Sequence, residues 1–337
     1  MAFDVLIAGG GPAGAAAAVA CAQGGLSVML AEREPSPVDK PGEALHPGVD
    51  SLLTQLGVEG LDAVTGARFE GVEIVWDGQR RFDAFGHDDA GPWQGRQVRR
   101  RDFDALLLER AASLGVEVRR GLSLEAPLLN GGRVIGATSA SGDIPARIII
   151  DASGPARWLE RRMGLAAADR SPSLVAFYGY VRGDCLARSA APGIEADESG
   201  WTWIARVAPD VFQWVRLDFD NRRRSDDWRP DLLADLEPIT RPRGAGVSWR
   251  VSEASAGPGW FLVGDAAAML DPTSSHGVLK GLMSGVMAGR TATAILRHDA
   301  PEIPGLIAYR DWLEGWFDAD ARVLASAYAD LGATGFG

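Results

Sequence analysis

The sequence predicts an α/β protein in which a parallel, dinucleotide-type sheet is joined to an antiparallel sheet, and three observations carry that expectation. The chain opens on a strand, a glycine-rich turn and a helix from Phe3 to Gln23, followed by a second strand that ends in an acid. Near its other end, Gly259 to Gly289 repeats the order of strand, turn and small-residue helix. Between them, from Ser173 to Glu253, Tyr178, Tyr180, Trp201, Trp203, Phe212, Trp214 and Trp249 stand among alternating polar residues, the pattern of an antiparallel sheet with one face covered. At 337 residues the chain suits one large domain or two interleaved ones.

Phe3 to Ala8 (FDVLIA) is a run of buried-strand type. Gly9-Gly10-Gly11-Pro12-Ala13-Gly14 follows, then an alanine-rich helix that Gly24-Gly25 stop after Gln23; Ser27 to Ala31 is the next strand, ended by Glu32. This is G-x-G-x-x-G between strand and helix, with an acid 18 positions after the last glycine. Gly9 serves the turn, Gly11 lets a pyrophosphate approach the backbone, Gly14 lets the helix pack on the sheet, and Glu32 suits ribose hydroxyls. Pro12 and Ala13 at the helix start, and Arg33 after the acid, join the candidate cofactor residues. The fingerprint by itself fits FAD and NAD equally.

Prolines at 35, 37 and 41 mark a loop, and Lys40-Pro41-Gly42-Glu43-Ala44-Leu45-His46-Pro47 opens into a helical segment ending near Gly57. Strands are expected near Phe69 to Trp76 and Arg80 to Phe85, and a helix from the Gln97 to Asp104 segment to Leu114. Val116 to Arg119, Leu124 to Leu129, Arg133 to Thr138 and Ala146 to Asp151 read as strands, with Asn130-Gly131-Gly132 a hairpin turn. No helix follows Gly136, so this region is not a second dinucleotide fingerprint. Arg222 to Pro230 is a charged loop, Pro230 to Glu237 a short helix, and beyond Arg290 a short helical tail is set off by Pro301 and Pro304.

In the Gly259 to Gly289 stretch, Trp260 to Val263 is strand-like, Gly264-Asp265 ends it at a sharp turn, and a small-residue helix begins close by. Asp271-Pro272-Thr273-Ser274-Ser275-His276-Gly277 then leads into a second helix. An acid at the tip of a buried strand suits a ligand hydroxyl. The unpaired N–H groups of a helix start attract an electron-rich edge.

Both features resemble the flavin-binding end of the FAD-dependent monooxygenase superfamily. The resemblance implies a Rossmann-like FAD-binding domain of the glutathione-reductase type joined to an antiparallel substrate sheet. It places Asp265 of Gly264-Asp265 on the ribityl chain, and Pro272, Ser275, His276, Gly277 and Val278 at the flavin pyrimidine. Arg100, four residues before Asp104, carries over to the cofactor surface, and Asp151-Ala152-Ser153-Gly154 to a place beside it, although Pro155-Ala156-Arg157 departs from the hydroxylase form. Gly42-Glu43-Ala44 resembles the tryptophan-halogenase-like branch, where the segment lies along the flavin. Together with Ser274-Ser275-His276-Gly277 it most resembles the LodB-like flavoproteins, which mature tryptophan-derived quinone cofactors inside partner proteins.

On that resemblance the expected cofactor is FAD, reduced by NAD(P)H or a separate flavin reductase and reoxidised by O₂. The expected reaction is hydroxylation of an electron-rich aromatic, an indole or tryptophan either free or in a peptide or protein, through a flavin C4a-hydroperoxide. His276 is the first candidate acid or base, with Glu43 second and Glu70 weaker. Three alternatives stand beside this: a halogenase, a geranylgeranyl-reductase-like reductase, and a non-catalytic FAD-binding maturation partner. In the halogenases a lysine downstream of Gly-Glu-Ala carries oxidised halide. Here Ala67 to Val72 puts Glu70 in that place, and a carboxylate forms no haloamine, so halogenation ranks below hydroxylation. Trp201-Thr202-Trp203-Ile204 partly resembles the halogenase Trp-x-Trp-x-Ile-Pro signature, with Ala205-Arg206 in place of its end. Trp201, Trp203 and Trp214 are the candidate substrate-lining residues.

The expected division assigns 1–64, 98–170 and 254–298 to the FAD-binding domain, 65–97 and 171–253 to the substrate sheet, and 299–337 to the tail. A net charge of -11 argues against nucleic acid or an anionic membrane as partner. Lys40 and Lys280 are the only lysines, and Cys21 and Cys185 are too few for a disulfide framework or a metal site. With Ala13 to Ala22 too short to span a bilayer, a cytoplasmic protein is expected.

Overall fold

The computed structural model describes every residue except Met1, Gly42, Arg223 and Asp226. Its helices are α1 (Pro12–Gln23), α2 (Gly48–Leu56), α3 (Arg100–Ser113), α4 (Trp158–Met163), α5 (Gly277–Arg297) and α6 (Glu302–Asp330).

Five strands run parallel in the order Glu117–Arg120, Val28–Glu32, Phe3–Ala8, the second half of Gly142–Asp151, and Trp260–Leu262. Val5 to Ile7 and Ile148 to Ile150 are fully buried, which is why these strands read as unbroken apolar runs: helices cover one face and further chain the other. The register sets Ala8 beside Asp151 and Asp151 beside Leu262. The turns that follow, at Gly9, Ala152 and Gly264, therefore emerge together at the carboxyl edge of the sheet, where ligands of such folds bind.

Helix α1 begins on a proline, whose missing N–H is lost at no cost in the first turn. It lies against α5, and small residues let the two approach: a Cβ on Gly285 would fall 2.2 Å from the Ala13 carbonyl oxygen, and one on Gly289 2.8 Å from Ala20 Cβ. Alanine and glycine there are the packing surface itself.

The second large sheet has the order Glu237–Pro238, Val175–Arg182, Val211–Asp218, Gly200–Ala208, Gly193–Asp197, Gly71–Trp76 and Gln79–Ala84. Its cross-strand rows define two faces. Trp76, Ala196, Trp201, Leu217 and Ala176 form one inner row; Ile74, Ile194, Trp203, Val215 and Tyr178 the next; Ala205, Gln213 and Tyr180 a third. Two three-stranded sheets join the halves. One contains Ala44–Leu45, Gly95–Val98 and Thr65–Phe69, and the other Ala167–Asp169, Arg250–Ser252 and Ala268–Met269.

Three expectations change. After Gly264-Asp265 there is no helix but a single 3₁₀ turn, Gly264–Ala266, because Ala268–Met269 is drawn into pairing with Arg250–Ser252. Pro230 to Glu237 likewise holds only the turn Asp231–Leu233. The short tail is in fact the 29-residue α6, which buries Tyr309, Leu313, Phe317 and Tyr328 in the main core, with Pro304 harmless in its first turn. No helix among the described residues is long and apolar enough to cross a membrane.

Candidate active site

At the nucleotide end the glycines divide by what surrounds them. A Cβ on Gly9 (φ +111°) would lie 2.4 Å from the Ala152 carbonyl oxygen, and one on Gly14 2.0 Å from that of Gly9. Both are fixed by close packing. A Cβ on Gly11 would meet nothing within 4 Å, so the start of α1, with Pro12 and Ala13, presents open surface where a phosphate can approach. Glu32 is buried; Oε2 accepts from the Gly10 N–H at 2.7 Å and Oε1 from the Glu34 N–H at 2.9 Å. A small cavity beside it is lined by Gly10, Glu32, Lys40, Asp104 and Arg120. Arg33 turns away, exposed and 3.4 Å from Glu34.

At the other end, Gly264 takes a left-handed φ of +56°, which turns the chain sharply after Val263. Among the described residues the Asp265 carboxylate has no hydrogen-bond partner; only its backbone oxygen is bonded, by Arg250 Nη2 at 2.7 Å. Burial pushes the Asp265 carboxyl above its usual range, and Arg100 and Arg250 partly offset that. A hydroxyl donor is what this acceptor lacks. Arg100 grips Asp104 through Nε (3.0 Å) and Nη2 (3.1 Å), and its Nη1 donates to the Pro41 carbonyl at 2.9 Å.

The loop before α5 is held by Asp271, which is fully buried. Its carboxylate accepts from the Thr273 N–H (2.9 Å), Trp249 Nε1 (2.5 Å) and the Tyr328 hydroxyl (2.9 Å); that hydroxyl in turn accepts from Trp201 Nε1 at 2.8 Å. Pro272 starts a 3₁₀ turn, Ser275 closes it at φ +54°, and His276 is the N-cap of α5. A Cβ on Gly277 would meet nothing within 4 Å, so the first turn of α5, through Val278, has its N–H groups next to open space. The Gly11 cradle, the unpartnered Asp265 and this helix start fit FAD, with phosphates at one end and the flavin ring at the other.

Titratable side chains meet in two further places. Glu43, 3 % exposed beside Ala44, accepts a hydrogen bond from the Tyr180 hydroxyl, whose pKa burial and the Glu43 charge push up. Gly42 falls outside the described residues. The His46 and His276 rings meet edge-on at 5.3 Å, and His46 Nδ1 accepts from the Gly48 N–H at 3.0 Å, leaving the proton of the neutral ring on Nε2. Burial lowers the pKa of both histidines; Asp320, 3.9 Å from His276 Nδ1, opposes this for His276. Lys280 Nζ is 3.6 Å from Asp320 and lies 4.8 Å over the Trp316 ring.

The three tryptophans are not brought together. Trp201 is fully buried and committed to Tyr328. Trp214 lies on the outer sheet face, packed with Phe212, Ile204, Leu233 and Trp228, because it is one residue out of phase with the inner rows. Trp203 alone keeps an open inner position, beside Val215 and one strand from Tyr178. Glu70 sits in the turn between two strands, 3.3 Å from Gln94 Nε2. Tyr180 and Arg250 are the site residues that sequence reasoning missed. Tyr180 shares the alternation of Tyr178, but nothing local signals its contact with Glu43, 137 positions away.

Residues 2–173 match the FAD binding domain family. The chain is 27 % identical over 344 residues to the 1H-pyrrole-2-carbonyl-[peptidyl-carrier protein] brominase of Pseudoalteromonas luteoviolacea, covering 93 % of this chain and 82 % of that protein. It is 28 % identical over 367 residues to the tryptophan 2-halogenase of Chondromyces crocatus, covering 96 % and 67 %. It shares its fold with the structure of the flavin-dependent brominase Bmp2, at a TM-score of 0.86 and 23 % identity, over 98 % of this chain and 88 % of that one.

Proposed function

Because the chain belongs to the FAD binding domain family, in the halogenase-like branch of the FAD-dependent monooxygenases, we propose that it oxidises an electron-rich nitrogen heteroaromatic, a pyrrole or an indole, and that the product is the halogenated ring. The carrying observation is that Tyr180 closes the aromatic inner face of the sheet onto Glu43 at the flavin end of the site. The two relatives, a brominase of a carrier-bound pyrrole and a halogenase of tryptophan, support the ring class and favour halogenation over the hydroxylation expected from sequence.

FAD, when bound, supplies the redox chemistry by passing electrons to dioxygen. The chain supplies the rest. Gly11 and Glu32 would hold the nucleotide, Asp265 would take ribityl hydroxyls, and the first turn of α5 would offer its N–H groups to the electron-rich edge of the ring. Trp203, Val215 and Tyr178 offer an apolar bed for an aromatic ring. Glu43 is an acceptor for a heteroaromatic N–H or for the proton lost from the ring, and His276 exchanges protons beside the flavin. Reducing equivalents come from NAD(P)H or a separate flavin reductase.

The test is to supply reduced FAD, air and bromide or chloride with pyrrole-2-carboxamide or tryptophan, and to weigh the product. Replacement of one hydrogen by the supplied halogen supports the proposal. A halide-independent gain of one oxygen replaces it with hydroxylation, the reading favoured by Glu70 at the place of the halogenase lysine. The only lysine at the flavin end is Lys280, so Lys280→Met decides whether an amine relays the halogen. No oxidation beyond the rate with free FAD removes both readings.

A further inference from the structure

The strand Gly95–Val98 contains a side chain with no counterpart in the polar bookkeeping of the site. Gln97 is 1 % exposed, and neither its Oε1 nor its Nε2 has a hydrogen-bond partner among the described residues. Buried amides are nearly always satisfied, and one with both groups unmet bears the full desolvation of each. Its neighbours across the two flanking strands are Ala44 and Ala67, whose side chains offer nothing polar.

The direction of the amide follows from the pleat. Arg96 occupies the opposite face of the small sheet and is saturated there by Asp50 and Asp62. Gln97 shares its own face with the Gly95 and Phe69 pair. From Phe69 a chain of rings leads across that face: Phe85 at 5.5 Å, His46 a further 5.5 Å, and His276 at the N-cap of α5 another 5.3 Å. The unmet carboxamide thus shares the face of Phe69, where that chain of rings begins, on a strand bonded to the one that follows Glu43.

We propose that Gln97 is a recognition residue for a ligand edge that carries an N–H donor beside a carbonyl acceptor. A primary carboxamide pairs with such an edge through two parallel hydrogen bonds, and neither a carboxylate nor a hydrocarbon satisfies both of its groups. Two ligands of this site present the edge: the pyrimidine ring of the flavin, and a heteroaromatic carbonyl substrate such as a pyrrole-2-carbonyl group. The substrate source rests on the proposed function; the flavin source rests only on FAD binding.

Gln97→Leu, with Gln97→Met as a second variant should leucine fail to fold, separates these sources in the full chain. The first readout is thermal unfolding of the FAD-free protein. Removing two unmet polar groups at similar volume raises its melting temperature, whereas an amide that served only the fold would lower it. The second is FAD titration by flavin fluorescence, and the third is titration of the FAD-loaded protein with pyrrole-2-carboxamide by flavin absorbance, with N-methylpyrrole as control. A melting temperature at or above wild type with FAD affinity weakened at least about tenfold assigns the flavin edge. The same with FAD affinity kept and pyrrole-2-carboxamide weakened at least about tenfold assigns the substrate edge. A lowered melting temperature in both variants, or FAD and pyrrole-2-carboxamide responses that do not depend on residue 97, overturns the proposal. Because no turnover is measured, this result is independent of whether the product is halogenated.

Discussion

Tyr328→Phe tests the anchoring of the loop that leads into α5, the helix whose start is proposed to meet the flavin. The ring itself is unchanged by the substitution, so its contacts with Trp76, Phe219, Trp249 and Phe336 remain and no cavity forms. What disappears is one hydroxyl that accepts from Trp201 Nε1, donates to Asp271 Oδ2 and is hydrogen-bonded to the Thr273 hydroxyl at 2.8 Å. Trp201 is fully buried, so its N–H is left unmet at a cost of about 1–3 kcal/mol, and a hydrogen bond to a charged acceptor contributes about 1.5–3 kcal/mol. The expected loss is about 2.5–6 kcal/mol where the Asp271 carboxyl is ionised.

It also depends on pH. Burial raises the Asp271 carboxyl in the fold, and the Tyr328 hydroxyl is one of the donors that pull it back. A raised carboxyl makes the folded state bind protons that the unfolded chain has released, so this group's contribution falls as pH rises from about 3.9 through the folded value. Without the hydroxyl the folded value rises further, and the destabilisation must be larger at pH 8 than at pH 5. Urea unfolding followed by tryptophan fluorescence at the two pH values measures both. A loss below about 1 kcal/mol at pH 8, with no growth between the two, would refute the anchoring role.

Three further outcomes are expected. Asp265→Ala should weaken FAD binding by about 10- to 150-fold, the loss of a hydrogen bond to a charged acceptor, while leaving the FAD-free fold no less stable because its buried carboxyl is already raised; fluorescence titration and unfolding check the two halves. Gly285→Ala puts a methyl 2.2 Å from the Ala13 carbonyl oxygen and should cost about 1–3 kcal/mol by forcing α1 and α5 apart, which chemical denaturation reads directly. Burial lowers His46 and His276 in the fold, so the unfolded chain binds more protons and stability should climb with pH from their folded values up to about 6.5. The double variant His46→Gln, His276→Gln should flatten that slope; an unaltered slope would place its origin elsewhere.

The parallel sheet and the two turns at its carboxyl edge were legible because each is encoded locally. Gly9, Gly11, Gly14 and Glu32 lie within one strand–helix–strand unit, and Asp265 and His276 within another. The choice of covered face was not legible. Alternation puts Trp201 and Trp203 on one side of their strand, but their tertiary partners decide that Trp201 is tied to Tyr328 while Trp203 stays available. Trp214 looked equivalent and is not, since its strand presents odd-numbered positions Gln213, Val215 and Leu217 to the interior. The contribution of α6 was invisible for the same reason: a hydroxyl of its last turn reaches a carboxylate 57 positions earlier. Glu70 in the place of the halogenase lysine argues for hydroxylation, whereas resemblance along more than nine-tenths of the chain favours halogenases.

The two lysines acquire a use from where they stand. Lys40 borders the Glu32 cavity, and Lys280 borders the one formed by Gly264, Asp265 and His276. In a protein whose other side-chain cations are guanidinium groups, an acylating reagent at mild pH has, apart from the α-amino group, one target at either end of the proposed coenzyme site. Peptide mapping with and without FAD would then footprint occupancy of the adenine and isoalloxazine halves separately, with no engineered label.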